Sequence, residues 1–206
     1  MQSIKLESEL LTPSKIVCVG RNYTAHIAEL NNELPDQMVL FNKPNSAITD
    51  TLFTTHNNDT LHFETELCFI IKNNELAGVG LGLDLTKRTV QSKLKNKGLP
   101  WERAKAFDGS VLLTPFVSIA DAEQAFTFEL KINDNVIQQG DTQFMIHKPK
   151  DILSEINEFM HLENGDVIMT GTPAGVGEVP ANSVFTVSLY ANSACLLSQR
   201  WQVQSC

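Results

Sequence analysis

The stretch "LHFETELCFII" (61–71) places two glutamates, Glu64 and Glu66, two positions apart inside an otherwise apolar run. In a strand, side chains alternate between faces, so both carboxylates point the same way, beside Cys68 and Ile70. Thr65, Leu67, Phe69 and Ile71 point the other way and form the expected buried set. Like charges side by side on one face repel. The pair therefore calls either for an open, solvated face or for a cation between the two groups. A third carboxylate, Asp84, lies in "GLGLDLT" (80–86), a second apolar and glycine-rich run where an unpaired buried charge is costly. Three carboxylates without nearby histidine or cysteine make an all-oxygen site, suited to Mg²⁺ or Mn²⁺, with Ca²⁺ in their place, and not to zinc. Mg²⁺ keeps several waters in such a site, which leaves positions for a chelating substrate. His26 and Glu29, three apart in "RNYTAHIAE", share one face of a helix. A histidine held by a carboxylate is suited to taking a proton from water. A solvated surface pair has the same spacing.

Several elements must position these residues. "KIVCVG" (15–20) reads as a strand, and "RNYTAHIAELNNEL" (21–34) as a helix with Ile27, Leu30 and Leu34 at helical spacing. Strands are expected at 38–44, 61–72 and 78–86. A basic helix follows over 87–98, stopped by Gly98 with Pro100 beyond. A hairpin is expected within 126–142, turning at Asn133-Asp134-Asn135. The spacing of Ile152, Ile156 and Phe159 predicts a helix within 148–166, ended by Asn164-Gly165. A strand from Asp166 runs into the loop "TGTPAGVG" (170–177), and strands at 183–190 and 194–203 close the chain. The pattern is one α+β domain over residues 1–206, richer in strand than in helix.

Composition agrees with a packed enzyme-sized domain. Of the 206 residues, 42% are hydrophobic and 19% charged, which argues against disorder. A net charge of -8 makes nucleic acid and anionic membranes poor partners. No apolar run approaches the ~20 residues of a membrane span, and the N-terminus lacks the pattern of a signal peptide. Cys18, Cys68, Cys195 and Cys206 are scattered and form no Cys-x-x-Cys pair, as expected of reduced thiols in a cytoplasmic protein. Cys18 and Cys68 lie in strand-like runs and are expected in the core.

Six blocks, "VGRNYTAHIAE", "FNKPNSA", "HFETEL", "GLDLTKRTVQ", "KGLPWERAKAFD" and "GDVIMTGTPAGVG", occur in an order that resembles the fumarylacetoacetate hydrolase family. The likeness spans about residues 15–190 and is greatest to small one-domain acylpyruvate hydrolases and oxaloacetate decarboxylases. It implies a mixed β roll or sandwich with short helices, and usually a homodimer. It also implies a divalent metal on Glu64, Glu66 and Asp84. The resemblance makes the His26–Glu29 dyad a general base on a closing lid, and Lys105 a group facing the substrate that stabilises oxyanion charge. Arg21, Arg88 and Gln91 match positions holding substrate oxygens, and Gly171 and Thr172 match a loop that contacts the substrate carboxylate. That loop lacks the Gly-Lys-Ser/Thr ending of a phosphate-binding loop. The connection from Glu66 to Asp84 is short, where members usually carry an additional helix.

The expected activity is metal-dependent cleavage of a C–C bond in acylpyruvates, giving pyruvate and a carboxylic acid, with decarboxylation of oxaloacetate at the same site. Two alternatives stand beside it. One is an isomerase or decarboxylase of homoprotocatechuate breakdown; the other is a non-catalytic protein that binds 2-oxo acids.

Overall fold

The computed structural model describes residues 1–29 and 35–204. Its principal elements, in chain order, are β1 (Lys15–Gly20), α1 (Thr24–Glu29), β2 (Val39–Pro44), β3 (Thr65–Lys72), β4 (Glu75–Asp84), α2 (Arg88–Asn96) and α3 (Glu102–Lys105). They continue with β5 (Val111–Leu113), β6 (Phe126–Ile132), β7 (Asn135–Asp141), α4 (Pro149–Asn157), β8 (Val167–Met169), β9 (Val184–Ala191) and β10 (Ala194–Gln204). One sheet has the order β5-β4-β3-β8-β1-β2, with Val117–Ser118 also paired to β4. Its strands are antiparallel except β8 beside β1. The second sheet runs β7-β6-β9-β10 and ends on Leu52–Phe53, parallel to β10.

The two sheets share a core. Leu67, Phe69, Val79, Leu81 and Leu83 of the first pack with Phe126, Phe128, Leu130, Phe185, Val187 and Leu189 of the second. The alternation of β6 and β9 is the cause: every second residue is apolar and buried, while the intervening ones face out. Beyond that contact, Ile71 packs with Val17, Val19, Ile168 and the α4 residues Ile152 and Ile156.

The expected half-buried strand over 61–72 differs in two ways. It is broken at Glu64, between a two-residue strand at His62–Phe63 and β3. Its second face is also covered: Cys68 and Ile70 join Cys18, Val167, Met169, Phe116 and the N-terminal residues Ile4 and Leu6 in a second cluster. Both faces of β3 are thus dry, so Glu66 cannot reach solvent along its strand. Cys18 and Cys68 are in the core as expected.

The short Glu66–Asp84 connection is a tight hairpin that lengthens β4 back to Glu75. Its turn residues, Asn73 and Asn74, both have positive φ (54° and 60°), the conformation of a two-residue type I′ turn. The predicted Asn133-Asp134 turn forms in the same way. Helix α2 ends as expected: Gly98 (φ 61°) and Leu99 donate back to Lys95 and Leu94, a Schellman cap. Helix α4 is shorter than predicted. It stops at Asn157, and Phe159 is exposed instead of completing the apolar stripe. α1 begins at Thr24, three residues into its predicted span; Leu30 and Leu34 lie outside the described residues, as does Cys206. Among the described residues no helix is long and apolar enough to cross a membrane.

Candidate active site

The hairpin β3–β4 assembles the carboxylates. Gly82 pairs with Glu66, and the Asp84 N–H donates to the Glu64 carbonyl at 2.8 Å. Asp84 therefore sits across the ladder from Glu64, on the face shared with Glu66. Along β4 that face carries Gly80, Gly82 and Asp84, while Leu81 and Leu83 fill the inter-sheet core. A side chain at Gly82 would meet Cys68 Sγ at 3.0 Å, so the face is tightly packed up to Asp84. One oxygen from each of Glu64, Glu66 and Asp84 lies within 4.8 Å of the others, and all three residues are buried.

Cations surround them. The Lys105 ammonium bridges Glu64 Oε2 (2.7 Å), Asp84 Oδ2 (2.6 Å) and Thr86 Oγ1 (2.6 Å). Arg88 Nη2 pairs with Glu64 Oε1, and Arg88 Nη1 donates to Gln91 Oε1 at 2.7 Å. Lys43, wholly buried, places Nζ 2.8 Å from Asp84 Oδ1. It spends its hydrogen bonds on Ser110 Oγ and the carbonyls of Leu85, Lys105 and Ser110. Among the described residues, none donates a hydrogen bond to the buried Asp84 Oδ1.

These contacts split the carboxyl groups electrostatically. Burial alone would raise Glu64, but Lys105 and Arg88 outweigh it and hold Glu64 ionised far below the usual range. Glu66 goes the other way, raised by burial and then by the charges of Asp84 and Glu64. Burial disfavours the Lys105 ammonium, yet Asp84 and Glu64 push it up on balance, so it stays charged.

The residues fit a hard divalent cation. The donors are all oxygen, Asp84 Oδ1 has no donor among the described residues, and Glu66 is a carboxyl group that a nearby positive charge would ionise. Glu64, Glu66 and Asp84 would hold it.

The dyad comes from the turn after β1. Asn22, fully buried, donates from Nδ2 to the carbonyls of Thr170 (2.8 Å) and His147 (3.0 Å) and accepts from the His147 N–H (2.7 Å). This pins the start of α1. His26 is buried, its Nδ1 3.3 Å from Glu29 Oε2, while Glu29 Oε1 accepts the Gly175 N–H at 2.9 Å. The pair is thus not a solvated surface pair. Burial lowers the His26 pKa despite the opposing pull of Glu64 and Glu29, which keeps the ring neutral. With Nδ1 facing Glu29, Nε2 is the nitrogen left to accept a proton.

One small cavity, about 40 Å³, joins these groups; its walls include Arg21, His26, Glu64, Glu66, Asp84, Arg88, Gln91, Lys105 and Thr172. Ten of the eleven sequence-predicted residues therefore converge there or, for Glu29, support one that does. Gly171 supports as well, but differently from expectation. Its N–H donates to Glu66 Oε2 at 2.7 Å, so it orients a carboxylate and is not available to a substrate. The Thr172 hydroxyl likewise gives its proton to the Thr65 carbonyl (2.8 Å) and accepts from Gln138 Nε2 (2.9 Å). A larger cleft of about 940 Å³ lies elsewhere, between the N-terminal residues and β10, and contains none of these groups.

Sequence reasoning missed Lys43, Asn22, Lys95 and the ring pair Phe41–Trp101 (centroids 5.7 Å apart). For Lys43 a signal existed: in β2 it alternates onto the side of Phe41, an inward position for a charge. Nothing in the sequence points to the others.

The family profile described as fumarylacetoacetate (FAA) hydrolase C-terminal matches residues 15–199, and the chain belongs to that family of enzymes. Oxaloacetate tautomerase YcgM of Escherichia coli (strain K12) is 39% identical over 197 residues, 87% of this chain and 90% of that protein. The mitochondrial oxaloacetate tautomerase FAHD1 of Homo sapiens is 34% identical over 206 residues, covering 92% and 91%. Fumarylpyruvate hydrolase from Pseudomonas aeruginosa, solved in complex with Mn²⁺ and pyruvate, superposes with a TM-score of 0.84 at 26% identity, covering all of this chain and 96% of that one.

Proposed function

We propose that this protein is a divalent-metal-dependent enzyme that interconverts the enol and keto forms of oxaloacetate. The observation that carries the reading is the buried Glu64–Glu66–Asp84 cluster with charged Lys105 and neutral His26 in one cavity. The tautomerase relatives support the substrate, and the Mn²⁺ and pyruvate of the fumarylpyruvate hydrolase support the metal and the 2-oxo-acid end.

Held by Glu64, Glu66 and Asp84, a divalent cation would supply Lewis-acid stabilisation of enolate charge. The chain's own groups do the rest. Lys105, held charged, stabilises the same developing oxyanion. In the keto-to-enol direction His26 Nε2 takes the C3 proton, leaving an enolate, and the imidazolium then delivers that proton to the C2 oxygen. The reverse direction runs the same two transfers backwards, while Glu29 fixes the ring and stabilises the imidazolium. Phe41 and Trp101 give the cavity an apolar wall that strengthens these charges.

A second reading is favoured by the same dyad. With water instead of a carbon acid as proton donor, neutral His26 activates it for attack on the distal carbonyl of an acylpyruvate, releasing pyruvate and a carboxylic acid. Assembly as a homodimer is part of the proposal; exposed Val136, Ile137, Phe144 and Ile146 provide apolar surface for it.

The test uses metal-stripped protein with Mg²⁺ or Mn²⁺ restored. Enol–keto conversion of oxaloacetate, pyruvate release from acetylpyruvate and decarboxylation of oxaloacetate are each measured. His26→Ala is expected to lose roughly 10²–10⁴-fold in the first two, while decarboxylation, which needs no base, persists. Equal loss of all three, or full activity without metal, would overturn the assignment.

A further inference from the structure

The hairpin β6–β7 makes an exchange that hydrophobicity does not explain. From its turn, Ile132 pairs with Asn135 and Lys131 with Val136, a register that would set Ile137 opposite buried Leu130. A β-bulge intervenes, and Leu130 pairs with Gln138 instead. Ile137 is left 39% exposed, while Gln138 takes the inward position at 1%. A shift of one residue sends the following side chains to the opposite face, and bulges next to active sites re-aim particular side chains. Burying an amide where an isoleucine would have gone is costly unless its hydrogen bonds are met.

They are met beside the carboxylates. Gln138 Oε1 accepts the Thr65 N–H at 3.0 Å, and Nε2 donates to Thr172 Oγ1 (2.9 Å) and to the Pro173 carbonyl (3.0 Å). The Thr172 hydroxyl closes the ring by donating to the Thr65 carbonyl at 2.8 Å. Thr65 is the residue between Glu64 and Glu66, where the strand is broken. Pairing of β8 with β3 has ended before it, at Met169–Cys68, with one more bond from the Thr170 N–H to the Leu67 carbonyl. Two side chains therefore take over the backbone bonds of Thr65. The same loop supplies the Gly171 N–H that orients Glu66. Further along it, Gly175 lies so close to β7 that a Cβ would stand 2.3 Å from the Ile137 carbonyl.

Building on the divalent-metal reading above, we infer that Gln138 is a positioning residue for the metal site. Through the Thr65–Gln138–Thr172 ring it fixes the peptide between two carboxylate ligands and the loop that orients one of them. It acts through that backbone and that loop.

The probe is Mn²⁺ alone, its Kd on metal-stripped protein read by electron paramagnetic resonance, with thermal melts alongside. Gln138→Met keeps the side-chain length and removes the amide; Thr172→Val keeps the shape and removes the hydroxyl. Each is expected to weaken Mn²⁺ binding about 10–100-fold, the range for losing a residue that orients metal ligands. The double variant is expected to bind no more weakly than the worse single one, because either substitution opens the same ring. Ile156→Val, in the α4 core, is the control: it lowers Tm and leaves the Mn²⁺ Kd within about twofold of wild type. Wild-type affinity in either single variant, or losses that multiply in the double one, would overturn the inference and leave the metal reading standing. So would an equal weakening in Ile156→Val, which would make the effect one of stability. If Gln138→Met does not fold, Thr172→Val decides by the same criterion. A wild type that binds no Mn²⁺ overturns both the inference and the metal reading.

Discussion

Lys43→Met removes a cation that has no solvent to retreat to. Lys43 is 0% exposed, with Nζ 2.8 Å from Asp84 Oδ1. Removing one partner of a buried ion pair costs about 3–5 kcal/mol, because the remaining charge is stranded. Here Asp84 keeps Lys105 on its other oxygen at 2.6 Å, which places the loss near the lower end, about 3 kcal/mol. The carbonyls add little. Ser110 O still accepts from the Leu85 N–H (2.9 Å) and Lys105 O from Ser110 Oγ (2.8 Å), so only the Leu85 carbonyl loses a donor, at about 1 kcal/mol. Met matches the length of the lysine stem, so no cavity term enters. The sum, about 4 kcal/mol, corresponds to a fall in Tm of roughly 8–16 °C for a chain of this size. Calorimetry on metal-free protein measures it. The double variant Lys43→Met/Asp84→Asn should recover at least about 1 kcal/mol relative to additivity, since it removes the stranded charge as well. A Tm within about 3 °C of wild type, or additive losses, would refute the charge-pair reasoning.

Two further outcomes follow from the same site. The Glu66 carboxyl is raised above its ordinary value of 4.5, so in metal-free protein the folded state holds that proton more tightly than the unfolded one. Stability present at acid pH is therefore lost as pH climbs from about 4.5 through the raised value; Glu66→Gln should flatten that loss in Tm-versus-pH melts and abolish Mn²⁺ binding measured by electron paramagnetic resonance. Gly171 has φ 96°, and a Cβ there would stand 2.8 Å from Asn22 Cβ and 3.1 Å from the Val19 carbonyl. Gly171→Ala should cost about 1–3 kcal/mol and weaken Mn²⁺ binding too, because the Gly171 N–H orients Glu66; unchanged metal affinity would show that this hydrogen bond is dispensable.

Much of the site was legible one residue at a time. Strand alternation puts Glu64 with Glu66, and places Asp84 on the glycine side of its own strand, because the period of two is a local property of extended backbone. The Asn133-Asp134 turn and the Gly98 stop are equally local, set by which residues accept positive φ. Phe159 shows where such reasoning ends: helical spacing assigns it to the apolar stripe, but α4 stops two residues earlier and leaves it exposed. Alternation also says which residues share a face, never what covers that face. That the Cys68–Ile70 side of β3 is dry depends on Ile4, Leu6 and Phe116 arriving from elsewhere in the chain. Lys43, Lys105 and Arg88 reach the carboxylates from β2, α3 and α2, across separations of 41, 21 and 24 residues for Lys43–Asp84, Lys105–Asp84 and Arg88–Glu64. The same long-range contacts commit the Gly171 N–H to Glu66 and the Thr172 hydroxyl proton to the β3 backbone. The sequence by itself determined the carboxylates and their chemistry. Tertiary structure decided their charge states, because burial and the positions of distant cations exist only once the sheets have closed over them.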